Sequence, residues 1–228
     1  MLVLLASVLS RPAGAQADTI PLNSLAAAKS YNVKTSPVTY RGRRALRVSD
    51  AAAANTDQEQ RLVVLPGLDF QDGIIEVDLA GDRMPGAPET ARGFVGIAFR
   101  LGPDLSRYEA IYLRPLNGRA EDQLQRNHSA QYISVPEFPW QRLRSETPGK
   151  YETYVDLVPG EWTKVRVEVR GEDARLYVNG AKQPTLVVHD LKHGASTGVI
   201  ALWIGPGTVA HFANLRVSKV GEKDAATH

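Results

Sequence analysis

Residues 162–184, WTKVRVEVRGEDARLYVNGAKQP, constrain the fold more than any other stretch of this chain. Val165, Val167 and Val169 alternate with Lys164, Arg166 and Glu168, the period of two required of a strand with one buried and one wet face. On a helix the same valines would scatter around the axis and bury nothing together. A polar turn, Arg170-Gly171-Glu172-Asp173, leads to a second short run, Leu176-Tyr177-Val178, and then to Asn179-Gly180, a pair that tolerates the positive φ of a tight turn. The pattern predicts antiparallel β structure with 176–178 folded back on its neighbour.

The rest of the chain repeats this grammar. Short alternating or apolar runs stand at 38–40, 45–48, 61–65, 73–79, 93–101, 108–114, 132–135, 151–155, 186–188, 198–204 and 211–218, and many are separated by turn pairs such as Pro66-Gly67 and Pro159-Gly160. No stretch sustains a 3.6-residue period, and no internal repeat is present. Residues 22–30 read as one short helix or a loop, and 51–55 as a low-complexity link. The expected fold is an all-β, two-sheet antiparallel sandwich. With 228 residues and 43% hydrophobic content, one domain over 18–220 can bury a full core, followed by a polar tail at 221–228.

Residues 1–17, MLVLLASVLSRPAGAQA, have the layout of a secretory signal: an apolar run over 2–9, then small residues with Ala-x-Ala endings at Ala15 and Ala17. The run is too short to span a bilayer comfortably, so the expectation is a periplasmic or secreted protein with no membrane span. A net charge of +2 is too balanced for a nucleic-acid partner. The absence of cysteine excludes disulfides, a thiolate nucleophile and thiolate metal sites. His189 and His193 are four apart, but without helical context they read as loop residues, so no metal site and no cofactor are expected. The sequence sets no oligomeric state.

A candidate binding surface comes from two adjacent runs. In GFVGIAFRL, Val95, Ile97, Phe99 and Leu101 form the core set, leaving Phe94, Gly96, Ala98 and Arg100 on the other face; in RYEAIYLRP, Tyr108, Ala110, Tyr112 and Arg114 share a face opposite Ile111 and Leu113. Small residues beside tyrosine and arginine make a floor with room for a ligand. A saccharide suits it, since aromatic rings take apolar sugar faces and Arg, Asn and Gln bond hydroxyls directionally. The connection 115–149 that follows carries Asn117, Arg126, His128, Gln131, Tyr132, Trp140 and Glu146, and a long polar insertion of this kind is expected to bind rather than merely connect. His128, set among Arg, Tyr and Gln, is the expected proton-transfer group, with Glu146 as its acidic counterpart. Substrate contacts are expected from Arg100, Tyr108, Tyr112, Arg114, Asn117, Arg126, Gln131, Tyr132 and Trp140.

Five stretches carry a resemblance to known proteins: FQDGIIEVDLAG, GFVGIAFRL, YEAIYLRP, GEWTKVRVEVRGEDARLYVNG and GVIALWIGPGTVAHFANLRV. Over 62–217 they resemble the concanavalin A-like, laminin-G-like jelly roll of the 3-keto-disaccharide hydrolase-like bacterial families. The resemblance implies a jelly-roll sandwich and a saccharide ligand, either as a glycoside hydrolase-like enzyme acting on a glycosidic bond or as a non-catalytic glycan-binding or adhesion module. Glu76 and Asp78 resemble the first two carboxylates of the laminarinase-like signature Glu-x-Asp-x-x-Glu. Gly81 occupies the third position, so the pair reads as an ordinary polar strand face.

Overall fold

The computed structural model describes residues 18–22, 27–51 and 60–219; the leader and the tail expected from the sequence lie outside them. In chain order the described residues form strands β1 (Asp18–Ile20), β2 (Lys29–Tyr31), β3 (Val33–Tyr40), β4 (Arg43–Asp50), β5 (Leu62–Phe70), β6 (Gly73–Arg83), β7 (Val95–Leu101), β8 (Tyr108–Leu113), β9 (Ala130–Val135), β10 (Glu152–Thr153), β11 (Thr163–Arg170), β12 (Asp173–Val178), β13 (Leu186–Val188), β14 (Gly198–Ile204) and β15 (Thr208–Lys219). Two short helices interrupt them, α1 (Gln123–Arg126) and α2 (Trp140–Glu146). None of the described helices is long and apolar enough to cross a membrane.

The strands assemble into two antiparallel sheets. One runs β13-β12-β11-β6-β15-β4-β3, with β1 also paired to β15; the other runs β10-β9-β8-β7-β14-β5-β2. This is the expected all-β sandwich. Val165, Val167 and Val169 of β11 join Ile75, Val77 and Leu79 of β6, Ile97 and Phe99 of β7 and Leu202 of β14 in one buried cluster, while Lys164 and Arg170 remain exposed. Full burial of a valine or leucine contributes about 1.5–3 kcal/mol, so the alternation in β11 is what orients this strand.

The turn reading needs one correction. The tight hairpin between β11 and β12 closes through Gly171 and Glu172, with Arg170 opposite Asp173. Asn179 and Gly180 do take positive φ, 51° and 74°, but they open a longer connection to β13, which pairs with β12 at Leu176 and Leu186. The Asn179 side chain accepts a bond from the Lys164 backbone N–H, and its own N–H donates to the Lys164 carbonyl. That anchors the strand end rather than turning it back.

The insertion is also more regular than its sequence suggests. A 3-10 turn at Pro115–Asn117, helix α1, strand β9 and helix α2 divide it, and β9 pairs with β8 on one side and β10 on the other. Asp122 caps α1 by accepting from the Gln125 N–H, the side-chain oxygen capping that short helices need most. After β9, Ser134 and Phe138 exchange backbone hydrogen bonds, and this narrow return lays α2 back beside the sheet.

Candidate functional site

Across the seven-stranded sheet Trp203, Gly96, Tyr112, Gln131 and Glu152 pair in succession, one from each of β14, β7, β8, β9 and β10. Residues directly opposite in a ladder share a face, so these five form one transverse row on the side away from the core. Gly96 is required at its centre. A Cβ there would lie 2.5 Å from the Tyr112 Cβ, and the space left open lets the Tyr112 ring reach Trp203, with ring centroids 4.6 Å apart.

Two adjoining cavities open over this row, of about 480 and 940 Å³, sharing Phe94, Trp140 and Pro206 in their walls. The larger is floored by Tyr108, Tyr112, Ile133 and Trp203. The smaller is lined by Arg92, Arg114, Asn117, Gln125, His128 and Arg144 among others. Trp140, the first residue of α2, stands between them. Arg114 is 4% exposed. Its Nη2 donates to the Tyr112 hydroxyl at 2.8 Å and its Nη1 to the His128 carbonyl at 2.9 Å. Asn117 donates to that same carbonyl and accepts from Gln125, so the backbone at His128 is held from two sides.

The His128 ring has a second restraint. Nδ1 lies 2.9 Å from Glu152 Oε2, and the same carboxylate receives both Nε and Nη2 of Arg144. Burial pushes the His128 imidazole below the usual histidine value and outweighs the upward pull of Glu152, while Arg144 and Arg114 push the same way as burial. Burial thus favours the neutral imidazole. Nδ1 is the ring nitrogen beside Glu152, and the His128 ring lines the smaller cavity.

Of the residues expected from sequence, Tyr108, Tyr112, Arg114, Asn117, His128 and Trp140 line the two cavities. The others lie elsewhere. Arg100 has a positive φ of 55° where β14 shifts register against β7. Its side chain is tied to the carbonyls of Gln71, Gly171 and Gly194 and to Asp72, bracing loops instead of facing the floor. Arg126 ends α1 and packs over Tyr154. Tyr132 pairs with Ile111 on the core side, where its hydroxyl donates to Glu109 at 2.6 Å. Gln131 is on the cavity side but covered, with Oε1 buried and without a partner among the described residues. Glu146 is half exposed in an i,i+4 pair with Arg142.

Sequence reading missed Glu152, and it named neither Arg144 nor Gln125 as a site residue. Glu152 is the acidic counterpart that His128 has in the fold. Its sole signal was a lone carboxylate within the expected strand at 151–155, because the residues that give it meaning reach it from β9, α2 and the turn before β9.

Residues 26–218 match the 3-keto-alpha-glucoside-1,2-lyase-like domain. No curated protein matches the chain in sequence. Among solved structures, the chain is similar to a carbohydrate-binding module, CBM66, from Bacillus subtilis, at 12% identity and a TM-score of 0.57, over 86% of this chain and 98% of that one. A Bacillus subtilis protein of unknown function with a galectin-like fold is similar at 13% identity and a TM-score of 0.58, over 89% and 94% of the two chains. A lectin from Bauhinia forficata in complex with GalNAc is similar at 12% identity and a TM-score of 0.50, over 90% and 98%. At these identities the likeness is one of fold, a concanavalin A-like jelly roll. The domain match spans most of the chain, and the chain belongs to the 3-keto-alpha-glucoside-1,2-lyase-like family.

Proposed function

We propose that the double cavity is a saccharide site and that the protein breaks a glycosidic bond there by elimination, with His128 as the base. The observation that carries this reading is the His128 ring at the cavity wall with its Nδ1 2.9 Å from the buried Glu152 carboxylate. Hydrolysis by the usual route needs two carboxylates flanking the bond, and among the described residues no Asp or Glu lines either cavity. Glu76 and Asp78 lie on β6 of the opposite sheet.

Elimination needs one base and one acceptor of developing negative charge. His128 Nε2 takes the proton from the carbon α to a carbonyl, the electron pair forms a carbon–carbon double bond, and the β C–O bond breaks. The departing oxygen takes its proton from the imidazolium just formed. Arg114 is placed to stabilise charge on the carbonyl oxygen, in a walled cavity where such a donor counts for more than in water. The name of the family supports a lyase of this kind, and the aromatic floor of Tyr108, Tyr112 and Trp203 supports a sugar ring as the ligand. The apolar run and Ala-x-Ala endings in 1–17 support export to the periplasm or medium.

The second reading is a binding module, favoured by the larger cavity, which offers aromatic faces and, among the described residues, no carboxylate or histidine. Incubating the purified chain with 3-keto-glucosides and with unoxidised glucosides, while following unsaturated products, separates the two. Elimination is expected from activated sugars alone, and His128→Gln is expected to abolish it without loss of binding. Saccharide binding with no unsaturated product from any activated sugar would leave the binding module.

A further inference from the structure

The eight-stranded sheet carries a cavity of its own, about 510 Å³, which shares no lining residue with the two over the other sheet. Strands β4, β6, β11 and β15 contribute to it. Trp162, just before β11, stands at its wall, with the Arg43 guanidinium 5.1 Å from its ring centre and the Tyr40 ring edge-on at 5.6 Å. An indole held in this way loses little freedom when a ligand settles against it. Two asparagines line the same cavity, Asn179 after β12 and Asn214 in β15, and both have left-handed backbone, at φ 51° and 54°. Asn214 sits where β15 shifts register against β6, and such a bulge re-aims a side chain. Here the amide reaches Asp78: its Nδ2 donates to Oδ2 at 2.6 Å, and Arg43 donates to the same oxygen at 2.7 Å.

The charges narrow the class of ligand. Arg43, Lys164 and Arg216 line this cavity together with Glu76 and Asp78. Arg43 meets Asp78, Lys164 Nζ lies 4.0 Å from Glu76 Oε1, and Arg216 is opposite Glu76 in the ladder. An anion would face two carboxylates and a cation three positive groups, so neither sign is favoured. A neutral polyol meets both. Each hydroxyl donates and accepts at once, and the asparagines and Asp78 offer the complement. Among the described residues their bonds use Asp78 Oδ2, Asn214 Nδ2 and Asn179 Oδ1, which leaves Asp78 Oδ1 and Asn214 Oδ1 as acceptors and Asn179 Nδ2 as a donor.

We propose that this cavity is a second saccharide site, taking a neutral sugar unit whose apolar face rests on Trp162 and whose hydroxyls bond Asp78, Asn179 and Asn214. It does not rest on the elimination reading. Glu76 and Asp78, which the sequence presents as a polar strand face, thereby become binding groups, and one molecule can hold saccharide on both of its sheets.

The chain has three tryptophans; Trp140 and Trp203 line the double cavity, and Trp162 lines this one. Fluorine NMR of the fluorotryptophan-labelled protein therefore reads the two sites separately, with resonances assigned from Trp140→Phe, Trp162→Phe and Trp203→Phe. Neutral gluco-, galacto-, manno- and xylo-oligosaccharides are titrated to millimolar concentration, beside glucosamine and galacturonate oligomers as cationic and anionic comparisons. At least one neutral oligosaccharide is expected to shift Trp162 along a saturating curve and to do so more tightly than either charged oligomer. Asn214→Gly and Asn179→Gly keep a residue at ease in the left-handed region, and each is expected to weaken that curve by roughly threefold to tenfold while the Trp140 and Trp203 responses stay as they were. Should one variant fail to fold, the other serves, and titration of the unaltered protein decides by itself. A Trp162 resonance that no neutral oligosaccharide moves overturns the second site; responses from Trp140 and Trp203 in that same titration would leave the double cavity standing. Tighter binding of a charged oligomer overturns the neutral class, and curves unchanged in both glycine variants overturn the assigned contacts.

Discussion

Glu109 and Glu152 are two buried glutamates on the same stretch of sheet, one on β8 and one on β10, yet they face opposite sides. Glu109 points into the sandwich. It is fully buried, accepts from the Tyr132 hydroxyl and from the His193 N–H, and Tyr132 in turn accepts from the Lys192 N–H. Every partner is fixed, and the network staples the 189–194 connection to the sheet. Glu152 points to the other side and holds groups that reach the cavity, His128 and Arg144. A buried carboxylate closed on fixed donors makes a strut. The same group beside an imidazole at a cavity wall makes, in the proposed reading, a proton-transfer device. What separates them is one step of strand parity.

The comparison breaks most visibly at His128. His128→Gln is expected to lower turnover by about 10²–10⁴ with melting and saccharide affinity nearly unchanged, as read by single-turnover kinetics beside calorimetry; unchanged turnover would remove the device from the site. Glu109→Ala should do the reverse. It orphans the Tyr132 hydroxyl and the His193 N–H, at about 1–3 kcal/mol each, so urea unfolding should show a loss of about 3–5 kcal/mol while saccharide affinity persists.

Glu152→Gln sharpens the difference through pH. In the unaltered protein the acid limb of turnover, where the base becomes protonated, is expected below the usual histidine value because burial favours the neutral imidazole. Removing the carboxylate removes its stabilisation of the imidazolium, so the limb should move to still lower pH. A limb that stays put would mean that His128 does not titrate in the reaction.

The smallest expected effect is a control remote from both glutamates. His211 stacks on Tyr40 in the eight-stranded sheet with ring centroids 3.6 Å apart, and burial lowers it to about 4, helped by Arg47. A lowered histidine binds its proton more readily when unfolded. Stability from this group is therefore complete above the ordinary histidine range and is lost as pH falls towards about 4. His211→Gln should flatten that part of the stability curve by roughly 1–2 kcal/mol, leaving the turnover profile alone, as urea titrations at stepped pH would report.

Much of this was legible in the residues. The valine alternation of β11, the apolar and cavity-facing sets of β7 and β8, and the pairing of Tyr108 with Tyr112 and Arg114 on one side all follow from a period of two, which acts locally and needs no partner. Arg100 escaped because a register shift and a positive φ break that period. Tyr132 escaped because helix α1 and the turn at 127–129 stand between the earlier insertion residues and β9, so no strand period carries across to fix its side. Glu146 was favoured over Glu152 for lying within the polar insertion, although closeness in sequence says little about which chain segments a sheet brings side by side.

By itself the sequence determined that the chain is an all-β sandwich, which residues of its regular strands are buried, and that aromatic and cationic side chains share a face with small ones. Those properties depend on hydrophobic burial along one strand at a time. Only the tertiary structure decided that Glu152 meets His128 and Arg144, that Gly96 makes room for Tyr112 against Trp203, and that Arg114 is buried at a cavity wall on the Tyr112 hydroxyl and the His128 carbonyl. Each of these depends on ladder register and on how α2 returns over the sheet, and long-range register is set by the packing of the whole core rather than by any segment of the chain.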